Sequence, residues 1–216
     1  MTPKALLWDN DGVLVDTEPL FFRATRDVLA PFGVTVTEEM YVDYALRRGR
    51  SLLELIAEKG VAREEIDRTR EVRDARYMDM LRAGVTVMDG VRQSLEALSG
   101  RLPMAIVTAS GRSHFEMIHE PLGLLPHFDF VLAEGDYPRH KPAPDPYLAA
   151  AERLGLDPSE CLVVEDSERG LQSAVAAGMR CVVVPSGFSR GGDFTAAHCV
   201  AESAHDVLAV FESLTR

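Results

Sequence analysis

Long hydrophobic runs are missing from this 216-residue chain. No stretch approaches the roughly 20 apolar residues a membrane helix needs, and none has the layout of a secretion signal. Cytoplasmic residence and no membrane partner are the expectations. Cysteine is scarce too. The three present, Cys161, Cys181 and Cys199, are odd in number, far apart and form no C-x-x-C pair, which argues against a disulfide framework or a cysteine zinc site. Buried free thiols are expected instead. Basic residues are in deficit, 23 Lys and Arg against 34 Asp and Glu, for a net charge of -11. Phosphate-backbone binding rests on cationic side chains, so nucleic acid is excluded as a partner. Internal repeats and low-complexity linkers are also lacking.

What is present suits a compact enzyme. The apolar fraction, 46%, is ordinary for globular proteins. The length allows one domain with an insertion or two small domains. Charge is unevenly spread: residues 17–84 hold 13 acids and 12 bases, leaving 21 acids and 11 bases to the remainder. An acidic remainder repels an anionic substrate unless a cation and local bases reverse the field.

Residues 17–84 read as helices alone. Thr17 suits an N-cap, with Pro19 in the first turn and Leu20, Phe21, Ala24, Val28, Leu29 and Phe32 as an apolar stripe closed by Gly33. A second helix is expected from Thr37. Ser51 and Glu54 match a capping box, predicting a third helix to Gly60. A fourth should run from Glu64 to Leu81, anchored by Ile66, Val72, Tyr77 and Leu81. From Val85 onward, strands alternate with helices. The predicted strands are 104–107, 128–132, 161–164 and 181–184, separated by helices at 91–98, 112–122, 146–154 (capped by Asp145) and 169–177. A short strand and a last helix are expected in 200–214. Continuously apolar strands mark a parallel sheet covered on both faces. The expected fold is therefore α/β, a doubly wound, Rossmann-like parallel sheet formed by 1–16 and 85–216, with 17–84 inserted as a helical cap.

The chemistry sits where the strands stop. The apolar run Ala5 to Trp8 ends in Asp9-Asn10-Asp11-Gly12, and the strand period of two puts both carboxylates on one side. Strand 104–107 delivers Thr108-Ala109-Ser110, strand 161–164 delivers Glu165-Asp166-Ser167, and Lys141-Pro142 lies in the loop after Leu132. In a parallel sheet these ends share one edge, so Asp9, Asp11, Thr108, Lys141, Glu165 and Asp166 are expected to converge. Hard carboxylate oxygens suit Mg²⁺, which shares its shell with phosphate. A hydroxyl, backbone N–H groups and a lysine suit phosphoryl oxygens. Taken singly, Thr108 and Ser110 also suit a helix cap, Lys141 a solvated loop, and Glu165-Asp166 an acidic helix start. His114 and His119, five apart, do not share a helical face and are read as surface or core residues rather than zinc ligands.

Asp9-Asn10-Asp11-Gly12-Val13, Thr108, Lys141-Pro142-Ala143-Pro144-Asp145 and Glu165-Asp166-Ser167 resemble, in order and spacing, the four motifs of the haloacid dehalogenase superfamily. The helical insert after the first motif resembles the cap of the branch containing β-phosphoglucomutase and phosphoglycolate phosphatase. The resemblance implies a Mg²⁺-dependent phosphatase acting on a small phosphate ester, with Asp9 as the nucleophile that forms an aspartyl-phosphate and Asp11 as general acid/base. It implies metal ligation by Asp9, Asp166 and the backbone carbonyl of Asp11, with Glu165 behind them. Thr108 and the backbone at Ala109 would bind phosphoryl oxygens, and Lys141 would neutralise charge beside Asp9. Arg47, Arg48 and Arg50 stand near the place where β-phosphoglucomutase grips a distal phosphate, and Arg48 is the candidate, although the cluster also suits a solvated face. Phe21 replaces a histidine found in that mutase, which favours hydrolysis over the alternative, a phosphohexomutase. A receiver-like switch also arrays Asp, Thr and Lys at strand ends, but it carries no helical insert after its first strand. A monomer or weak homodimer is expected.

Overall fold

The computed structural model describes residues 2–215. The chain divides into two compact units, Met1–Asp16 with Thr86–Arg216, and Thr17–Val85. The first opens with β1 (Ala5–Trp8), every residue of which is buried. Beyond it the backbone folds around the carbonyl of Asn10, which accepts from the N–H groups of Val13, Leu14 and Val15 at 3.3, 2.8 and 3.1 Å. Gly12 makes this turn with φ of +82°, a conformation that a side chain disfavours. Strand β2 (Val15–Asp16) follows.

The second unit contains α1 (Glu18–Leu29), α2 (Glu38–Tyr41), α3 (Glu54–Ala57) and α4 (Arg63–Arg82), with a π-helical turn over Val42–Arg47. Among the described residues of this unit there is no strand. Several local expectations are corrected here. The Thr17 hydroxyl makes no capping bond to α1, and Phe22 and Thr25, rather than Leu20 and Phe21, join Ala24, Val28 and Leu29 in the buried face. Half of the capping box forms: the Glu54 carboxylate accepts from Ser51 N–H at 3.3 Å, but the Ser51 hydroxyl accepts from Leu53 N–H at 3.3 Å rather than from Glu54 N–H, and α3 covers only Glu54–Ala57. On α4 the buried face is Ile66, Thr69, Tyr77 and Leu81, while Val72 is 48% exposed. Val72, six residues on from Ile66, is turned by about 240° and faces away from the side that Ile66, Tyr77 and Leu81 share. Thr69 is buried with its hydroxyl returned to the Glu65 carbonyl at 2.7 Å, which satisfies the group that would resist burial.

The chain re-enters the first unit through β3 (Thr86–Val87), which pairs antiparallel with β2. Two-residue strands carry no readable period, and this pairing was not legible in the sequence. Then come α5 (Val91–Leu98), β4 (Met104–Val107), α6 (Arg112–His119), β5 (Phe130–Leu132), α7 (Asp145–Leu154), β6 (Cys161–Glu165), α8 (Glu168–Ala176), β7 (Arg180–Val183), β8 (Cys199–Val200) and α9 (His205–Thr215). Asp145 is the first residue of α7 rather than its cap and pairs with Arg139. Helix α6 stops at His119; Glu120 keeps helical torsions, but Pro121 has no N–H with which to continue the ladder.

The main sheet has the order β5-β4-β1-β6-β7-β8, with every pairing parallel. This is a doubly wound α/β sheet of the Rossmann type. One face packs α7 and α8 through Tyr147, Ala150, Leu171 and Ala174 onto Leu7, Ala105, Val107 and Val163. Strand β1 lies centrally. The chain builds β4 and β5 on one side of it and β6 to β8 on the other, and such a switch point leaves a crevice at the strands' carboxyl ends. Cys161 and Cys181 are free and buried, and Cys199 is half-buried. No described helix is long and apolar enough to cross a membrane.

Candidate active site

At that crevice three strands deliver their polar ends and a loop adds a lysine. Asp9 leaves β1, Thr108 leaves β4, Glu165 and Asp166 close β6, and Lys141 reaches in from the loop before α7. Lys141 Nζ donates to Asp9 Oδ1 at 2.7 Å, to Glu165 Oε1 at 2.7 Å and to the Val107 carbonyl at 3.0 Å. All three of its N–H groups are thereby used. Beneath it lies the ring of Tyr147, 4.9 Å from the ammonium. The Tyr147 hydroxyl donates to Glu165 Oε1 at 2.7 Å. The other oxygen of Glu165 accepts from the N–H groups of Asp166 and Ser167 and from the Ser167 hydroxyl, at 3.1, 3.4 and 3.1 Å. Five donors thus hold a carboxylate that is wholly buried. Helix α8 presses so close that a Cβ on Gly170 would overlap the Glu165 carboxyl group.

Asp11 is held differently. Its Oδ2 accepts from the Ser110 hydroxyl at 2.7 Å and the Thr108 hydroxyl at 3.2 Å. Thr108 is fully buried, and its carbonyl accepts from Tyr137 Oη at 2.6 Å. The hydroxyl of Thr108 therefore faces Asp11, and Ala109, exposed at the start of the loop, can offer only its backbone. Asn10 lies in the bend beyond β1, and its Oδ1 meets His119 Nε2 at 2.6 Å. His119 stacks on Phe115 with ring centroids 4.3 Å apart.

Burial sets the electrostatics. The Asp9 carboxyl is pushed up to about 7, first by burial and then by the charge of Glu165, with Lys141 pulling it back. Burial pulls Lys141 down, but Asp9 and Glu165 outweigh it, and the ammonium stands above the ordinary lysine value. His119 is pushed down to about 4 by burial, against an opposing pull from Asp11.

Asp9, Glu165 and Asp166 bring one ligand atom each to within 4.8 Å of one another. Hard oxygens so placed suit Mg²⁺. Because five hydrogen bonds occupy Glu165, the donors left for a cation are the carboxylates of Asp9 and Asp166. A Cβ at Gly12 would overlap the Asp166 carboxylate, so that oxygen lies in a space only glycine leaves open. The residues fit the ion.

Arg48 belongs to the helical unit. Its guanidinium pairs with Asp43 at 2.7 Å and lies over the Tyr44 ring, 5.7 Å from the centroid. Arg50 covers the same ring at 5.3 Å and pairs with Glu54.

Residues 6–184 match the family model described as haloacid dehalogenase-like hydrolase. The chain belongs to that family. Like other haloacid dehalogenase-like hydrolases, it has curated relatives with phosphatase names. The fructose-1-phosphate phosphatase YqaB of Escherichia coli is 33% identical over 187 residues, covering 83% of this chain and 95% of YqaB. Protein CbbY of Rhodobacter capsulatus is 33% identical over 210 residues, 91% of this chain and 92% of that protein. Among solved structures, a variant of CbbY from Rhodobacter sphaeroides in complex with xylulose-(1,5)bisphosphate superposes with a TM-score of 0.79 at 25% identity. It covers 95% of this chain and 96% of that one. By family and by these relatives, this haloacid dehalogenase-like hydrolase is of the phosphatase class.

Two residues in contact with the site were not among the sequence candidates, Tyr147 and Ser186, and Ser110, read among the polar residues after strand 104–107, was given no role toward Asp11. Ser186 follows the rule that found the others, a polar side chain beyond a strand's carboxyl end. Tyr147 carries no such signal, because it sits inside α7 and reads as core.

Proposed function

We propose that this hydrolase is a Mg²⁺-dependent phosphatase for a small phosphorylated metabolite of the sugar phosphate kind, working through an aspartyl-phosphate on Asp9. The observation that carries the reading is the placing of Asp9 between a lysine 2.7 Å away and the carboxylate of Asp166. The sugar phosphate class is supported by the fructose-1-phosphate named for YqaB and the bisphosphate bound to CbbY.

In the first step an oxygen of ionised Asp9 attacks phosphorus in line. The bond to the ester oxygen breaks, and that oxygen takes a proton from Asp11. In the second, water attacks the same phosphorus, gives its proton to Asp11, and the bond to Asp9 breaks to release phosphate. Ser110 and Thr108 hold the Asp11 carboxyl for both transfers. Lys141 keeps Asp9 ionised and placed, and Glu165, fixed by five donors, keeps Lys141 placed. Backbone N–H groups around Ala109 would take phosphoryl oxygens. Mg²⁺, held by Asp9, Asp166 and the Asp11 backbone carbonyl, would supply charge neutralisation for the phosphoryl oxygens. Residues 17–84 are proposed as the cap that selects the ester. Arg48 would there exchange its partner Asp43 for an anionic substrate group.

The test is a panel of phosphomonoesters incubated with and without Mg²⁺, for the wild type and for Asp9→Asn. Release of phosphate that needs Mg²⁺ and falls to background in Asp9→Asn is expected. Undiminished turnover by that variant would refute the nucleophile. Conversion of β-glucose 1-phosphate to glucose 6-phosphate, rather than to phosphate, would assign the chain to the mutases.

A further inference from the structure

We propose that Ser186 is a positioning residue for the cation site: its hydroxyl holds the Asp166 carboxylate in the orientation that binds the ion. The inference rests on the Mg²⁺ reading above and adds a residue to it.

Strand β7 carries the chain to the same sheet edge as β6. The Val184 N–H donates to the Glu165 carbonyl at 2.7 Å, so residues 184–186 run beside Glu165 and Asp166. There the Ser186 hydroxyl donates to Asp166 Oδ2 at 3.3 Å. Ser186 is only 9% exposed, so bulk water has little access to compete for this bond. Its backbone is pinned by the following turn. Ser186 N–H donates to Ser189 Oγ at 2.9 Å, while the Ser189 hydroxyl and N–H both donate to the Ser186 carbonyl, at 2.8 and 2.7 Å.

Across the carboxylate stands Gly12. A Cβ at that position would overlap Asp166 and come to 3.1 Å from Ser186 Oγ. The Asp166 carboxylate is thus confined between a glycine on the first loop and a hydroxyl on the last. A ligand carboxylate whose orientation is set by a neighbouring donor gives up less rotational freedom when it binds, and removing such a donor typically weakens metal binding by about 10- to 100-fold. Glu165, which packs beside Asp166, is itself held by five donors; Ser186 does for the ligand carboxylate what those donors do for its neighbour.

The test uses Mn²⁺ as probe, read by electron paramagnetic resonance on the metal-free protein without substrate, with Mg²⁺ as competitor. Ser186→Ala should raise the Mn²⁺ dissociation constant by about tenfold or more. Ser186→Thr keeps a hydroxyl in an extended backbone that suits a β-branched residue, and should bind within about threefold of wild type. The thermal midpoints of the metal-free forms are measured alongside. A fall in midpoint with unchanged Mn²⁺ affinity in Ser186→Ala would make the serine a turn residue and overturn the proposal, as would equal losses in the Ala and Thr variants. Asp166→Asn separates the two levels of the argument. If it binds Mn²⁺ as the wild type does, the Mg²⁺ reading itself fails and takes the proposal with it; if it does not bind, a wild-type affinity in Ser186→Ala refutes Ser186 alone.

Discussion

Asp9 and Lys141, 132 residues apart in the chain, meet at 2.7 Å in the floor of the crevice. Neither is at ease there without the other, because burial opposes both charges. The pair is therefore a point where folding and the proposed chemistry depend on the same contact.

Lys141→Met removes the cation and leaves Asp9 and Glu165 buried without it. Breaking a buried pair from one side typically costs about 3–5 kcal/mol, and a loss of that order is expected in urea unfolding at pH 8. The loss should shrink at pH 5, where Asp9 can take up a proton instead. A loss independent of pH would show that the carboxylates do not depend on the lysine.

Magnesium should stabilise the protein in a pH-dependent manner. In the metal-free protein the Asp9 carboxyl is raised from 3.8 to about 7, so the folded state holds more protons than the unfolded state between those values. Its contribution to stability is fully present below pH 4 and is lost as the pH rises through 7. Cation binding needs the ionised form and competes with the proton. Thermal unfolding with and without Mg²⁺ should show a larger upward shift at pH 8 than at pH 5.5, and equal shifts would contradict the assignment of Asp9 as a ligand.

His119 acts with the opposite sign. Its folded value, lowered from 6.5 to about 4, means the unfolded state binds more protons in that window. Stability from the neutral ring is present above pH 6.5 and lost as the pH falls toward 4, by about 3 kcal/mol at most. His119→Gln keeps a donor for Asn10 and cannot titrate. The difference in unfolding free energy between variant and wild type should therefore move in the variant's favour as the pH is lowered from 7 to 4. A constant difference would mean that His119 is not held neutral.

Gly170→Ala inverts an ordinary expectation. Alanine in place of glycine within a helix normally stabilises by about 0.5–1 kcal/mol. Here the added Cβ would enter the Glu165 carboxyl, and overpacking of this kind costs about 1–3 kcal/mol. Urea unfolding should show a net loss, and a gain in stability would mean that α8 can move away from β6 freely.

Much of the main sheet was readable because β1, β4, β6 and β7 hold continuous apolar runs, of which the first three stop at a polar residue and the last at Pro185. The errors cluster where that contrast is weak. Val72 counts among the expected anchors of α4 for its apolar side chain but is exposed, while Thr69, whose hydroxyl returns to its own helix, is buried. Ser51 and Glu54 have the spacing of a capping box, and the Glu54 carboxylate does meet Ser51 N–H, yet the serine hydroxyl turns to Leu53. Such choices lie within a hydrogen bond's worth of free energy, roughly 1 kcal/mol, and spacing does not resolve them.

The order of residues alone determined that carboxylates, hydroxyls and a lysine would stand at the ends of buried strands, because apolar strands must stop where charge begins. Only the tertiary structure decided that Lys141 and Tyr147 would reach Glu165, that Ser110 and Thr108 would grip Asp11, and that Ser186 would reach Asp166 from the loop after β7. Those contacts join segments far apart in the chain, where side-chain reach and packing density, rather than local periodicity, select the partner.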